Sequence, residues 1–172
     1  MKPGSEARQR LLDDHHAVSE VLKQLLTALG NKDVQTSYSK LDLLWGRLAV
    51  HIRAEHLHLF PTVMSRRLTE AQPVVENLRV DHDFFMRGLA RAIGVLRELP
   101  AIDEASLTAV ANTVREIEKR LATHNEIEEN QIYHWASTIL TEPEQTDLAA
   151  RINAELENRP PRFSAEAWAN RL

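Results

Sequence analysis

The sequence predicts an all-α protein, an up-down-up-down four-helix bundle with a short C-terminal helical extension. Three observations support this fold class. Apolar residues recur at alternating steps of three and four along four long segments, which is the spacing of one face of an α-helix. The 5 Gly and 7 Pro residues are mostly confined to a few places between these segments. Six polar residues interrupt the apolar stripes at positions that would share one level of such a bundle.

Composition limits the classes of protein that the chain can belong to. The 172 residues are 43% hydrophobic and 27% charged, with a net charge of −4, which suits one globular domain with one sizeable core. Because the two signs of charge are interspersed, neither a nucleic acid nor a membrane is expected as a partner. No apolar run could span a bilayer and no signal peptide is visible, so a cytoplasmic location is expected. With no cysteine, any metal must be held by nitrogen and oxygen atoms.

The first two helices are separated by a turn at Gly30 and Asn31. The first stripe contains Leu11, His15, Val18, Leu22, Leu25 and Leu29. The second contains Leu41, Leu44, Leu48, His51, Glu55 and Leu59. Pro61 comes late enough to kink or loosen the last turns of the second helix without preventing it.

A capping-box pattern formed by Thr69 and Gln72 predicts the start of the third helix, with Pro73 in its first turn. The stripe of this helix runs from Leu78 to Leu99, and the helix is expected to stop at Pro100.

The fourth helix is predicted to begin after Asp103 and to run to Ile139. Thr141 and Glu144 form a second capping box, which opens a shorter helix that reaches about Leu156.

One domain boundary follows from these helices. Residues 1–140 are predicted to form the bundle, and residues 141–172 a C-terminal extension packed on the same domain. Within that extension, Ser164 is expected to cap a last short helix through Trp168.

Six side chains with metal-ligand chemistry stand in the apolar stripes: His15, His51, Glu55, His82, His124 and Glu128. Two His-x-x-x-Glu pairs each place an imidazole and a carboxylate one turn apart on one helix face. In an up-down-up-down bundle, the midpoints between successive candidates fall near residues 34, 67 and 104, where turns are predicted. Two carboxylates in one dry layer would be costly without a cation. The sequence therefore predicts a metal site.

The chain also repeats itself. Asp14-His15 aligns with Asp81-His82, and the two His-x-x-x-Glu pairs align with each other, which places Phe60 over Tyr133. Each half is thus a hairpin of one single-His helix and one His-x-x-x-Glu helix. Two such hairpins with pseudo-twofold symmetry would hold two equivalent metals.

The order His, His-x-x-x-Glu, His, His-x-x-x-Glu across residues 11–135, together with Leu-Phe-Pro at residues 59–61, resembles the hemerythrin-like, HHE cation-binding family. This resemblance implies a non-haem di-iron centre, two iron ions with an oxo or hydroxo bridge. It implies that Glu55 and Glu128 bridge the irons and that the four histidines are terminal ligands. Oxygen-carrying hemerythrins have a fifth His one turn after the third-helix His. Here Met86 stands at that position, and its side chain is expected to approach one iron.

The resemblance implies a protein that binds or senses a small ligand such as oxygen, nitric oxide or peroxide. Two alternatives stay open: a di-iron oxidoreductase that turns over peroxide or nitric oxide, and a metal-stabilised interaction module. A homodimer is also left open.

Two further histidines are alternative ligands. His16 is expected to face solvent, but it would replace His15 if the first helix rotated. His58 lies seven residues after His51, hence near the face of the site, and is a candidate exchangeable or supporting ligand.

The remaining candidates are placed outside the ligand set. His56 and His134 are expected at the rim of the site. Tyr133 is interpreted as a core residue that could also donate a hydrogen bond to a bound oxygen species.

Overall fold

The computed structural model of the chain describes residues 4–98 and 102–158, which are helical apart from short turns. The helices are α1 (Gly4–Gly30), α2 (Val34–Ala54), α3 (Phe60–Leu96), α4 (Glu104–Ile127), α5 (Tyr133–Ile139) and α6 (Glu142–Glu157). Two π-helical turns, Glu55–Leu59 and Glu128–Ile132, join α2 to α3 and α4 to α5. These described residues include no strand, so the all-helical prediction is confirmed.

The long helices pack as a bundle around two buried apolar clusters. α1 and α3 each contact both α2 and α4, while α6 packs against α1 and α2. One apolar cluster contains Leu22, Leu41, Leu89 and Val114 among its members. The other is built from residues such as Leu11, Phe60, Val63, Tyr133 and Ile152. The six predicted ligands lie along the helices between these clusters, so they are shielded from water on both sides.

The predicted boundary between residues 140 and 141 stays a prediction.

Most predicted turns are present, and the helices that follow them are capped by side chains. α1 ends at Gly30, and the carboxylates of Asp33 and Asp103 cap α2 and α4 by accepting a backbone hydrogen bond from three residues later. The capping box of Thr141 and Glu144 is formed at the start of α6. Each of these caps satisfies backbone N–H groups that the first helical turn leaves without a partner.

A kink two residues before Thr69 divides α3 into two helical segments, close to the predicted start of the third helix. α3 already begins at Phe60, and a single residue with non-helical dihedral angles, Arg67 (φ −137°, ψ 46°), bends it. The predicted turn is therefore present at this kink, but the side chain of Gln72 does not cap the segment that follows. Gln72 donates to Glu76 instead, and Pro73 lies inside the helix rather than in its first turn.

Two predictions fall where the structure is not described. The stop at Pro100 lies outside the described residues, and α3 ends at Leu96. The helix expected from Ser164 to Trp168 also lies outside them. Among the helices that are described, none combines the length and the apolar character needed to cross a membrane.

Candidate metal centre

Both predicted carboxylate ligands begin a π-helical turn. The backbone N–H of Phe60 donates to the carbonyl of Glu55, and that of Tyr133 donates to the carbonyl of Glu128. These five-residue spacings insert one extra residue into an otherwise α-helical course, and such turns are frequent at functional sites. The inserted residue changes which following side chains face the same way as the carboxylate.

All six predicted ligands are buried and lie side by side. Glu55 and Glu128 are 0% exposed, and the four histidines are between 2% and 6% exposed. The histidines form two pairs, which we call the first pair (His15 and His51) and the second pair (His82 and His124). Their ring centroids are 4.9 Å apart in the first pair and 4.6 Å apart in the second.

Each carboxylate presents one oxygen to each pair. Glu55 places Oε1 at 3.4 Å from Nε2 of His51 and Oε2 at 3.4 Å from Nε2 of His82. Glu128 places Oε2 at 3.3 Å from Nε2 of His15 and Oε1 at 3.0 Å from Nε2 of His124. The four imidazoles and two carboxylates therefore form two adjacent donor groups that share both carboxylates.

The donor atoms fit a cation better than they fit one another. Among the described side chains, Nε2 of His51, Oε2 of Glu55 and Oε1 of Glu128 are buried and make no well-aligned hydrogen bond, although imidazoles and carboxylates lie close together. Unpaired polar atoms at this depth are costly. Metal–ligand distances of about 2.1 Å leave neighbouring donors about 3 Å apart, close to the separations observed here. A metal cofactor would satisfy these atoms together.

An aspartate holds the outer ring nitrogen of one histidine in each pair. Nδ1 of His51 donates to Asp14 at 3.0 Å, and Nδ1 of His124 donates to Asp81 at 3.1 Å. Such bonds select the tautomer whose Nε2 is free to bind a metal and raise its basicity. Burial alone would raise the pKa of Asp14, but hydrogen bonds and charges from His51 and Arg47 hold it at about 2.

The carboxylates also change the protonation of the imidazoles. Burial alone would lower the pKa of His51, but Glu55 and Asp14 raise it well above its usual range. The pKa of His124 is raised in the same way, against burial, chiefly by Glu128. Without a metal, these imidazoles therefore hold protons that a metal would displace.

Tyr133 belongs to the site as well as to the apolar core. Its hydroxyl donates to Oε1 of Glu55 at 2.9 Å and lies 3.0 Å from Nε2 of His15 and 3.3 Å from Oε2 of Glu128. The π-helical turn before it brings the ring to this face. Burial and the two nearby carboxylates raise the pKa of Tyr133 well above its usual range.

The remaining histidines divide between surface and site. His16 is exposed, as predicted. His134, which was predicted at the rim of the site, is also exposed. His58 is half-buried, with Nε2 3.8 Å from a carboxylate oxygen of α6. His56, predicted at the rim, is half-buried, and its Nε2 lies 2.9 Å from Nδ1 of His82, the ring nitrogen that faces away from the carboxylates. Burial and the neighbouring His82 lower the pKa of His56 to about 4.

Two small cavities adjoin the cluster. One, of about 10 Å³, is lined by both histidine pairs and by apolar residues that include Phe85. Met86, expected to approach one iron, is absent from that lining and packs against the apolar cluster of Leu22 and Leu89. The other, of about 20 Å³, lies beside Tyr133 and is lined mostly by apolar side chains of α1, α5 and α6. Each is of the size that holds a single water-sized molecule.

Sequence reasoning missed the roles of four residues: Asp14, Asp81, His56 and Glu129. The alignment of Asp14 with Asp81 was a usable signal, because both stand at the same place in the repeat. Glu129, whose Oε1 lies 2.9 Å from Nδ1 of His15, carries no comparable signal. Its partner lies on another helix, 114 residues away.

Comparison with curated proteins and with solved structures finds no match. A family model, the hemerythrin HHE cation binding domain, matches residues 7–136. That range contains all six buried ligand candidates and most of the bundle. The chain belongs to the hemerythrin HHE cation-binding family.

Proposed function

We propose that this chain is a non-haem di-iron protein that binds or senses a small ligand such as oxygen, nitric oxide or a peroxide. The observation that carries the proposal is the placement of two buried carboxylates, each with one oxygen directed to each histidine pair. Glu55 and Glu128 would then bridge two ions, and each histidine pair would supply the terminal ligands of one ion.

The donor set is compatible with iron. Imidazole and carboxylate together suit iron, manganese and zinc, and paired carboxylate-bridged iron or manganese sites are characteristic of four-helix bundles. Four nitrogens and two shared carboxylates leave each ion fewer than six protein ligands, so a small molecule has room to bind. Bound iron would supply the redox and ligand-binding chemistry.

The surrounding residues have separate tasks. Asp14 and Asp81 orient the imidazoles of His51 and His124. The apolar clusters above and below the site exclude water, which strengthens electrostatic interactions inside it. The two cavities admit only small molecules, which supports a diatomic or peroxide ligand over a larger substrate.

The proposal includes an up-down-up-down course for the four long helices. The turn between α1 and α2 is short, and short connections favour antiparallel neighbours. Such a course also brings the ligands of all four helices to one level, as their separations require.

Metal analysis of protein purified without a metal-affinity tag tests the proposal. We expect two irons per chain. Glu128→Ala and Glu55→Ala should lower the occupancy of both positions together, whereas His15→Ala should mainly empty one. The matched control is Glu126→Ala, which removes an exposed carboxylate two residues before Glu128. Two metals retained after either bridging carboxylate is removed would contradict the assignment.

Rapid-mixing optical spectra separate the functional alternatives. Reduced protein would be mixed with oxygen, nitric oxide or peroxide. A reversible spectral change supports binding or sensing, and multiple turnovers support an oxidoreductase. No change with any of the three supports a structural role for the metal.

A further inference from the structure

The two halves of the cluster are built from equivalent residues of the sequence repeat. Arg47 donates to Asp14 at 2.6 Å, and Arg120 donates to Asp81 at 2.6 Å. Each aspartate in turn accepts from the imidazole of its own half, at 3.0 and 3.1 Å. On this side of the cluster the same residue types make the same hydrogen bonds in both halves.

The symmetry is broken behind the other two imidazoles. Nδ1 of His15 lies 2.9 Å from a carboxylate oxygen of Glu129. At the equivalent place in the other half, Nδ1 of His82 lies 2.9 Å from Nε2 of His56. Residues 56 and 129 correspond in the repeat, since each directly follows the bridging carboxylate of its half.

This difference changes the strength of the two imidazoles as ligands. A carboxylate that accepts from Nδ1–H draws the proton away and makes Nε2 a better donor to a cation. A neutral imidazole in the same place is a weaker acceptor, because charge-assisted hydrogen bonds are about twice as strong as neutral ones. His15 is therefore the stronger donor of the two.

A second difference adds to the first. Phe60 stacks on His82 with ring centroids 6.0 Å apart, and Tyr133 stacks on His15 with centroids 5.6 Å apart. These aromatic residues are also equivalent in the repeat. The hydroxyl of Tyr133 donates to Oε1 of Glu55 at 2.9 Å and so orients the carboxylate oxygen that faces the first pair, which Phe60 cannot do for the second pair.

Both differences favour the same position. We propose that the two metal positions are unequal and that the first-pair position fills before the second-pair position. The first-pair position has Glu129 and Tyr133 as neighbours, whereas the second-pair position has His56 and Phe60. This inference rests on the proposed function, namely that the cluster binds two ions. It reverses the expectation of two equivalent metals that the repeat suggested.

Calorimetric titration of the metal-free, full-length chain with Co²⁺ tests the inference. The wild-type protein should bind in two steps that differ about tenfold or more in affinity. His56→Glu should strengthen only the weaker step, by about 10–100-fold, the usual effect of a partner behind a ligand. Phe60→Tyr should also strengthen the weaker step, and Tyr133→Phe should weaken only the tighter one. His134→Glu, the same exchange at an exposed histidine, controls for added charge and should leave both steps unchanged.

The outcomes distinguish the inference from the function on which it rests. Two equal steps in the wild type, or an unchanged ratio in folded His56→Glu protein, would overturn the inference. If circular dichroism shows that His56→Glu does not fold, Phe60→Tyr decides in the same way. No Co²⁺ binding, or binding of a single equivalent, would instead refute the two-ion function.

Discussion

Oδ2 of Asp14 lies 3.0 Å from Nδ1 of His51, on the ring edge opposite the Nε2 that faces the metal cluster. Asp14→Asn keeps the size of the side chain but removes its charge. We expect about 10–100-fold weaker metal binding at the first-pair position, measured by competition with a chelator of known affinity. Asp13→Asn, the exposed neighbour, should have no such effect. Equal losses in both variants would show that overall charge, rather than this hydrogen bond, is responsible.

The effect of Asp14→Asn on the free energy of unfolding should depend on pH. The pKa of Asp14 is lowered from 3.8 to about 2 in the folded protein, so its charge stabilises the fold above pH 4 and this contribution is lost as the pH falls through 2. The difference in unfolding free energy between metal-free wild type and Asp14→Asn should thus be full at pH 5 and shrink towards pH 2. Urea unfolding at several pH values measures it. A difference independent of pH would contradict the assignment.

Metal binding should release protons. The folded pKa values of His51 and His124 are raised. In the metal-free protein their protonated forms therefore stabilise the fold below the ordinary value of 6.5, and this contribution is lost as the pH rises through the folded values. A metal needs the neutral imidazole, so affinity should fall as the pH is lowered from 8 to 6. Calorimetry in two buffers with different ionisation enthalpies counts the released protons, and identical heats would contradict the prediction.

The cavity beside Tyr133 should influence ligand access. Ala136 is one of its lining residues, and Ala136→Val would add two carbon atoms to a space of about 20 Å³. If small ligands enter by this route, nitric oxide should associate several-fold more slowly with the loaded variant in rapid-mixing experiments. Ala149→Val, a buried alanine of α6 outside the lining, controls for general overpacking. Equal rates in wild type and Ala136→Val would exclude the route.

Substitution by alanine should have different effects on stability at two glycines of α3. Nothing lies within 4 Å of a Cβ built on Gly94, so Gly94→Ala should stabilise the protein by about 0.5–1 kcal/mol through helix propensity. A Cβ on Gly88 would lie 3.0 Å from Cδ1 of Ile117, so Gly88→Ala should gain less or lose stability. Thermal unfolding of both variants provides the comparison. A larger gain at Gly88 would mean that α3 and α4 are packed less closely there.

Much of the fold and the six central residues could be predicted from the sequence. A three-and-four spacing of apolar residues reports the face of a helix directly, and a capping box such as that of Thr141 and Glu144 acts on backbone groups of its own helix. Likewise, His51 and Glu55 share a face because of their spacing alone. These features depend on residues that are near one another in the chain.

The arrangement around that centre was decided by the tertiary structure. A π-helical turn has no distinct residue signature, so the strict α-helical periodicity could not show that Tyr133 would reach Glu55. The partners of His15 and His82, namely Glu129 and His56, lie on other helices, and their contacts depend on how each helix is rotated in the bundle. The sequence by itself determined the ligand types and the level at which they meet. Helix packing decided which side chain stands behind each imidazole, and therefore why His15 and His82 have different neighbours.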